Sequence, residues 1–274
     1  MTNKDVVLVL KNLAQMGEAS VYRSMYQGRA CITKTHATSV ERDFYLSVAP
    51  YLNEVGVNTP ALFEVSEKIL CMECIPHAVS IEELAQDTNT FEQLARLHGI
   101  ELPIQPHFKH HQWSLPQTQS ALEELSLTPE LESMLYQLQQ RSDVLFTPRC
   151  VLSGDTNPGN WGRREDGTLV LFDWERFGQG SPAIDLAPLV TGMGDKSAYQ
   201  AIIARYKAAN PSVDSHSLFV ELVLAKAWIV IEVVNLLTQR GTPNRDRYLN
   251  WYKSVLPQWL PHAFRWASLA ESLR

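Results

Sequence analysis

The sequence LSGDTNPGN at Leu152–Asn160 is followed a few residues later by LVLFDWE at Leu169–Glu175. The apolar run Cys150–Leu152 predicts a strand that ends at the first polar loop, and the apolar run Leu169–Phe172 predicts another that ends at Asp173. The two strand ends carry Asp155, Asn160 and Asp173. We therefore expect these three oxygen-bearing side chains to lie together at one edge of a sheet.

This set of side chains suits phosphoryl transfer. A nucleotide triphosphate is strongly anionic, so a divalent cation must neutralise it before a hydroxyl can attack. Mg²⁺ prefers hard oxygen ligands and keeps several waters, which makes Asn160 and Asp173 a sufficient protein contribution. Asp155 would then be free to accept the proton of the attacking hydroxyl. The alternative is that Asp155 and Asn157 serve only as turn formers.

The segment Ser153–Asn160, together with Asp173, resembles the catalytic and metal loops of the aminoglycoside phosphotransferase and choline kinase family. The continuation GQGSPAIDLA at Gly178–Ala187 is also similar to that family. The family motif usually begins with His, where this chain has Ser153. The resemblance implies an α+β, bilobal protein-kinase-like fold, with a small antiparallel-sheet N-lobe, a larger mainly helical C-lobe, and ATP and Mg²⁺ as cofactors.

The amino-terminal third predicts a sheet and a helix. Val21–Tyr26 and Arg29–Lys34 are short strand-like segments, and the apolar spacing over Ser39–Asn53 predicts a helix with Glu41 in its first turn. By themselves, Lys34 could be a solvated strand end and Glu41 a simple helix-start preference. With the resemblance, they correspond to the lysine and helix glutamate that pair in kinase amino-terminal lobes, with Lys34 reaching phosphate oxygens.

Two further segments complete the nucleotide site that the resemblance implies. Gly17–Ser20 would be the nucleotide loop, with Ser20 as a phosphate contact, although a hairpin turn also explains it. Ile69–Pro76 is an apolar strand stopped by proline. By resemblance it leads into the hinge, and the adenine contacts are Met72, at the back of the pocket, and the main chains of Glu73 and Ile75.

The chain is long enough for two lobes, and 45% of its residues are hydrophobic. We expect residues 1–75 to form the nucleotide-binding lobe and residues 76–274 to form the helical lobe with the catalytic loops and the acceptor site. The apolar stretch Leu218–Leu237 contains three charged residues. Because a charge at the centre of a membrane costs about 2.5 to 3.5 kcal/mol, we predict a buried helix there rather than a membrane span.

The amino-acid composition limits the kinds of binding partner that we expect for this protein. A net charge of −6 argues against a nucleic-acid surface and is compatible with a cationic acceptor. The four cysteines fall in predicted strands rather than in Cys-rich loops, and the sequence shows no cleavable apolar leader before them, so we expect a reducing, cytoplasmic location. Cys71 and Cys74 have the spacing of a zinc-binding pair, but the sequence shows no second pair or neighbouring histidines to complete a zinc site. No local motif specifies the acceptor or the oligomeric state.

Some side chains leave two interpretations open. His110 and His111 lie in a predicted loop and could be ligands or acceptor contacts, but surface histidines are commoner. The late helices could form an aromatic cage for a quaternary ammonium, or the same rings could anchor helix packing, which is the favoured interpretation. The residues concerned are Trp228, Trp251, Tyr252, Trp259 and Trp266.

Two function classes follow from the sequence. The first is an ATP-dependent phosphotransferase acting on a hydroxyl of a small molecule, for which aminoglycosides, choline-like compounds and other metabolites are open acceptors. The short interval between Asp173 and Asp185 has no room for an extended peptide-docking segment, which argues against a protein kinase. The second class is a catalytically inactive kinase-like protein that binds a nucleotide for regulation. A binding-only cleft has no need of Asp155 as a base.

Overall fold

The computed structural model describes residues 20–67, 69–240 and 244–269. The expected nucleotide loop lies outside these residues except for Ser20.

The amino-terminal part contains an antiparallel sheet in which four described strands run in the order β1-β2-β4-β3. A tight turn joins β1 to β2, and both of its residues, Gln27 and Gly28, have positive φ (48° and 80°). Turns of this kind match the right-handed twist of a hairpin. The strands are β1 (Ser20–Tyr26), β2 (Arg29–Thr35), β3 (Leu62–Val65) and β4 (Ile69–Glu73).

The predicted helix after β2 is present, but it is not a uniform α-helix. It consists of α1 (Ser39–Asp43), a π-helical turn (Phe44–Val48) and α2 (Ala49–Glu54). Thr38 caps its start by accepting the Glu41 N–H at 3.1 Å. The extra residue of a π-turn rotates the helical faces relative to one another. As a result the helix buries Glu41, Phe44 and the later apolar positions together.

The remainder of the described chain is mainly helical and carries two small sheets. One sheet has the order β5-β7-β8, and the other pairs β6 with β9. These strands are β5 (His77–Ala78), β6 (Cys150–Leu152), β7 (Trp161–Arg163), β8 (Leu169–Leu171) and β9 (Gly178–Gly180). The helices are α3 (Ile81–Gln86), α4 (Thr88–Gly99), α5 (Leu115–Leu125), α6 (Pro129–Gln140), α7 (Asp143–Phe146), α8 (Ala183–Leu186), α9 (Lys196–Ala209), α10 (Ser215–Arg240) and α11 (Arg245–Leu269).

The expectation that one sheet edge carries the three site residues is wrong. The strand before Asp155 is β6, which pairs with β9, whereas the strand before Asp173 is β8, which pairs with β7. The physical reason is that the residues after Asn160 form a hairpin of their own, β7–β8. This hairpin brings Asn160 beside the end of β8, and the loop after β6 supplies Asp155.

The long apolar segment is the buried helix α10, as predicted. Its buried face contacts α5, α9 and α11 and includes Leu222, Trp228 and Ile231. Within the described ranges, the helices lack any stretch with the length and apolar character needed to cross a bilayer.

Lys226 is a buried cation in the middle of α10. Its Nζ donates to the carbonyl oxygens of Ala187 (3.0 Å) and Val190 (2.6 Å). Burial lowers the pKa of Lys226 from 10.5 to about 7. Between these two pKa values the unfolded chain binds more protons than the folded protein does, so the contribution of this group to stability increases with pH.

We therefore expect the free energy of unfolding of the native protein, relative to that of a Lys226→Met variant, to rise between about pH 7 and about pH 10. The maximal slope is about 1.4 kcal/mol per pH unit. Urea unfolding of both proteins at several pH values measures it. Curves that stay parallel across this range would show that Lys226 keeps its ordinary pKa when folded.

Candidate active site

Lys34 lies at the centre of a buried charge cluster. Its Nζ is 2.7 Å from Oε2 of Glu41, 2.8 Å from Oδ1 of Asp173 and 3.6 Å from Oε2 of Glu175. Lys34 is 5% exposed and Glu41 is 1% exposed. The lysine is therefore not a solvated strand end, and it joins the amino-terminal sheet, the following helix and the loop after β8.

The electrostatics of this cluster follow from burial and mutual attraction. Burial works to lower the pKa of Lys34, but the carboxylates of Glu41, Asp173 and Glu175 outweigh it and raise that pKa above its ordinary value. Burial raises the pKa of Glu41, and the Lys34 ammonium opposes this shift. One oxygen from each of the three carboxylates lies within 4.8 Å of the others. Because the ammonium sits among them, this grouping is an ion-pair cluster rather than a separate metal site.

Aromatic packing couples the helix to the loop after β8. The ring of Phe44, in the π-turn, stacks on Trp174 with centroids 4.1 Å apart and an interplanar angle of 11°. Phe177 contacts the same Phe44 ring edge-on at 4.9 Å. Both Trp174 and Phe177 are fully buried. This apolar contact lies beside Glu41 and Asp173 and keeps the helix and the loop that carry them in a fixed relative position.

Asp155 follows β6 and is half-buried. Its Oδ1 accepts a hydrogen bond from Nδ2 of Asn157 at 2.7 Å. Burial raises the pKa of Asp155, while the charge of Arg176 and the hydrogen bond from Asn157 act in the opposite direction. Among the described residues, no donor reaches the second carboxylate oxygen, Oδ2.

Asn160 and Asp173 lie next to one another. Nδ2 of Asn160 donates to the main-chain oxygen of Asp155 at 2.9 Å, and the carbonyl of Asn160 accepts the Phe172 N–H at 2.9 Å. The amide oxygen Oδ1 of Asn160 receives no hydrogen bond from a described residue. Asp173 has φ of +62°, an uncommon conformation for a non-glycine residue, and 40% of its side chain is exposed. The structure thus brings together the three residues that the motif singled out.

Asp185, a residue that sequence reasoning did not assign to the site, anchors the catalytic loop. Its carboxylate accepts the main-chain N–H groups of Ser153 and Gly154, both at 2.8 Å. Nε2 of His98 lies 3.2 Å from Oδ2 of the same carboxylate, and the hydroxyl of Thr156 donates to its main-chain oxygen. Asp185 is fully buried. The available signal was its place in the AIDLA segment of the family-like motif.

Ser153 stands where the family motif usually has His. Its hydroxyl is fully buried and has no hydrogen-bond partner among the described residues. The main-chain bond from Ser153 to Asp185 therefore anchors this position, and the side chain contributes no hydrogen bond.

Arg176 was also missed. Its Nε donates to the main-chain oxygen of Gly154 at 3.0 Å, and Nη2 pairs with Glu232 on α10. Gly154 has φ of +79°, and a Cβ there would collide with the carbonyl of Arg176, so only glycine fits. The signal for Arg176 was weak, because a single arginine after an acidic motif resembles any surface charge.

The expectation that His111 is a surface histidine is wrong. It is 4% exposed, and its Nε2 lies 2.9 Å from the main-chain oxygen of Arg176. Burial, aided by the charge of Arg176, lowers the pKa of His111 to about 4. A neutral His111 can donate a hydrogen bond to that carbonyl and thereby stabilise the chain at Arg176. His110 is exposed.

The hinge residues occupy the end of β4 and the segment after it. Met72 is buried and faces Ile32 across the sheet. The N–H of Glu73 donates to the carbonyl of Ala61 at 2.8 Å, and its carboxylate pairs with Arg164 at 2.7 Å. The Glu73 N–H is therefore already used in a hydrogen bond within the protein.

The other two predicted nucleotide contacts are less constrained. Ile75 is half-buried and packs against Gly162 of β7. Ser20 opens β1 opposite Thr35 and is also half-buried.

The aromatic residues of the late helices are mostly core residues. Trp228, Tyr252 and Trp259 are between 1% and 6% exposed, and Trp266 packs edge-on against Tyr199. Trp251 is 39% exposed. The rings are spread along α10 and α11, as packing anchors are, and the described residues show no common cage.

The chain belongs to the Phosphotransferase enzyme family, whose model matches residues 15–216. The motif and the site geometry lie within that match.

Solved structures show the same fold. A choline/ethanolamine kinase family protein from Mesorhizobium loti is 15% identical with a TM-score of 0.66, covering 96% of this chain and 92% of its own. The choline kinase LicA from Streptococcus pneumoniae is 18% identical with a TM-score of 0.61, covering 94% and 95%. Spectinomycin phosphotransferase APH(9)-Ia, solved with ADP and spectinomycin, is 12% identical with a TM-score of 0.61, covering 95% and 91%. The predicted α+β, bilobal kinase-like fold class is confirmed.

Proposed function

We propose that this protein is a small-molecule kinase that transfers the γ-phosphoryl group of Mg-ATP to a hydroxyl of its acceptor. The observation that carries the proposal is the Lys34 ammonium held between Glu41 and Asp173, with the half-buried Asp155 close enough to Asp173 for the two carboxylates to interact. A lysine fixed in this way presents a positive charge where phosphate oxygens can be bound. The family membership supports ATP as the donor, and so does the ADP bound to spectinomycin phosphotransferase.

The proposed nucleotide site combines both lobes. Residues 1–75 would form the nucleotide lobe and residues 76–274 the helical lobe; this boundary is supported by the end of β4 at Glu73 and by the pairing of β5 with β7. The proposed contacts to ATP are Ser20, Lys34, Met72, Glu73 and Ile75, with Glu41 positioning Lys34.

Asn160 and Asp173 fit a magnesium ion. Oδ1 of Asn160 and one oxygen of Asp173 receive no hydrogen bond from described residues, and both are hard donors of the kind that Mg²⁺ prefers. When bound, the ion would supply charge neutralisation at the phosphate oxygens. These two residues would hold it, and Lys34 would add a fixed positive charge on the same side.

Asp155 would act on the acceptor. Its free oxygen accepts the proton of the acceptor hydroxyl as that oxygen forms a bond to the γ-phosphorus and the bond to the ADP oxygen breaks. The raised pKa of Asp155 makes it a better proton acceptor than an exposed aspartate. The proton then leaves with the product or to solvent, and the carboxylate is restored.

The acceptor we propose is a small hydroxylated molecule, with aminoglycosides and choline-like compounds as the first classes to test. A choline kinase and a spectinomycin phosphotransferase are among the structural neighbours, which supports these classes. The short segment between Asp173 and Asp185, which forms β9 and the start of α8, supports a small acceptor over a peptide.

Single-turnover formation of ADP from ATP, with and without amino sugars and choline-like alcohols, tests the function. We expect Mg²⁺-dependent turnover that one acceptor class accelerates. An Asp173→Asn variant should need at least about tenfold more Mg²⁺ for the half-maximal rate, because a charged ligand is lost.

The matched control for this test is Glu165→Gln, which removes an exposed acid on the β7–β8 hairpin. It should leave the Mg²⁺ requirement unchanged. Tight nucleotide binding with no turnover in any mixture would instead favour the inactive, nucleotide-binding class.

A further inference from the structure

The Asp155 carboxylate is held by one specific neighbour. Asn157 Nδ2 donates to Oδ1 of Asp155 at 2.7 Å, while Oδ2 of Asp155 accepts no hydrogen bond from a described residue. The Asn157 N–H also points at Oδ1, at 3.5 Å. The two oxygens of the base therefore have different surroundings, and one is immobilised while the other is left open.

The orientation of the Asn157 amide is fixed from its other end. Its Oδ1 accepts the Gly159 N–H at 2.8 Å, which makes Asn157 the cap of the short 3-10 turn Pro158–Asn160. A flipped amide would set its NH₂ against the Gly159 donor and its oxygen against the carboxylate of Asp155. Both contacts would be repulsive, so the amide has one stable orientation.

The backbone leaves room for this amide. A Cβ at Gly159 would lie 2.9 Å from Oδ1 of Asn157, closer than carbon and oxygen normally approach. A side chain at position 159 would therefore displace the Asn157 amide from its observed position. This is independent of the Asn157–Asp155 hydrogen bond and points to the same arrangement.

We propose that Asn157 is the positioning residue of the base: it grips one oxygen of Asp155 so that the other faces the acceptor hydroxyl. The proposal rests on the proposed kinase function and assigns separate roles to two asparagines of the catalytic loop. Asn160 closes the loop on the main chain of Asp155, and Asn157 orients the side chain. Placing a reacting group within hydrogen-bonding reach contributes strongly to rate, since small misplacements are costly.

Two substitutions separate positioning from capping. Asn157→Asp and Asn157→Ser both keep an oxygen that can cap the Gly159 N–H, but neither keeps the amide donor to Asp155. The probe is single-turnover hydrolysis of MgATP with water as the acceptor, with nucleotide affinity and melting temperature measured on the same samples. Asn250→Asp and Asn250→Ser, at an exposed position of α11, are the matched controls and should keep the native rate.

We expect both Asn157 variants to be slowed about a hundredfold, with native MgATP affinity and melting temperature. Gly159→Ala, which keeps the amide but displaces it, should be slowed as well. A native rate in either Asn157 variant would overturn the proposal. A loss of rate that parallels a loss of MgATP affinity or of melting temperature would overturn it too, by assigning Asn157 a binding or structural role.

The same assay distinguishes this inference from the proposed function. If Asp155→Asn is slow and Asn157→Ser is as fast as the native protein, only the positioning role fails. If Asp155→Asn is itself as fast as the native protein, the assignment of the base fails and the proposed function with it.

Discussion

Replacing Asp155 by Asn should lower the rate of phosphoryl transfer by about a hundredfold to ten-thousandfold, the range that a positioned base contributes. The amide has nearly the shape of the carboxylate but cannot take up the proton of the hydroxyl. Nucleotide affinity should stay native, because the ion pairs of Lys34 with Glu41 and Asp173 do not involve Asp155. Single-turnover transfer and equilibrium binding of MgATP measure the two quantities separately.

The control for this variant is Asp166→Asn. Asp166 is an exposed aspartate in the β7–β8 hairpin whose carboxylate accepts the Thr168 N–H at 2.9 Å, so the same chemical change is made in a similar local turn. It should leave transfer unaffected. A native transfer rate in Asp155→Asn would mean that the proton does not pass to this carboxylate.

Replacing Asp185 by Ala should destabilise the protein by about 3 to 5 kcal/mol. The change leaves the buried N–H groups of Ser153 and Gly154 without an acceptor, and each unsatisfied buried donor costs about 1 to 3 kcal/mol. It also removes the partner of Nε2 of the buried His98. Because the catalytic loop begins at these two N–H groups, phosphoryl transfer should be lost even at temperatures where the variant is folded.

Asp195→Ala provides the comparison for stability. Asp195 also accepts a main-chain N–H, from Ala198 at 2.8 Å, but it is an exposed cap at the start of α9. Water can replace its oxygen, so the expected cost is about 1 kcal/mol. Urea unfolding of the two variants compares them directly. Equal losses of stability would show that Asp185 does not anchor the loop against desolvation.

The sequence correctly predicted the elements whose signal, such as apolar spacing or a turn residue, lies within one short segment. The hairpin β1–β2, the helix after it, the hinge strand and the long buried helix α10 all follow from apolar spacing and turn residues, and each is present. The π-turn at Phe44–Val48 was not predicted, because it depends on burying Glu41 and Phe44 together against a distant loop.

The components of the site were predictable in part. Asp155, Asn160 and Asp173 stand in one compact motif, and Lys34 and Glu41 could be paired through the resemblance. Arg176, Asp185 and His111 could not be assigned in this way. Their partners are main-chain groups of the catalytic loop or of the segment after it. Because nearly every residue has the same main-chain groups, the residue types in a sequence do not indicate which of these groups are bonded.

By itself, the sequence determined the fold class and the residue types of the candidate site, because strand and helix periodicity and a compact acid-amide-acid motif are properties of short segments. The tertiary structure decided which strands pair, since β6 and β8 lie in different sheets, and which buried groups hold the loop. Those outcomes depend on hydrogen bonds and desolvation between segments far apart in the chain. Asp185 and Gly154, for example, are 31 residues apart in the chain and are joined by a hydrogen bond in the folded protein.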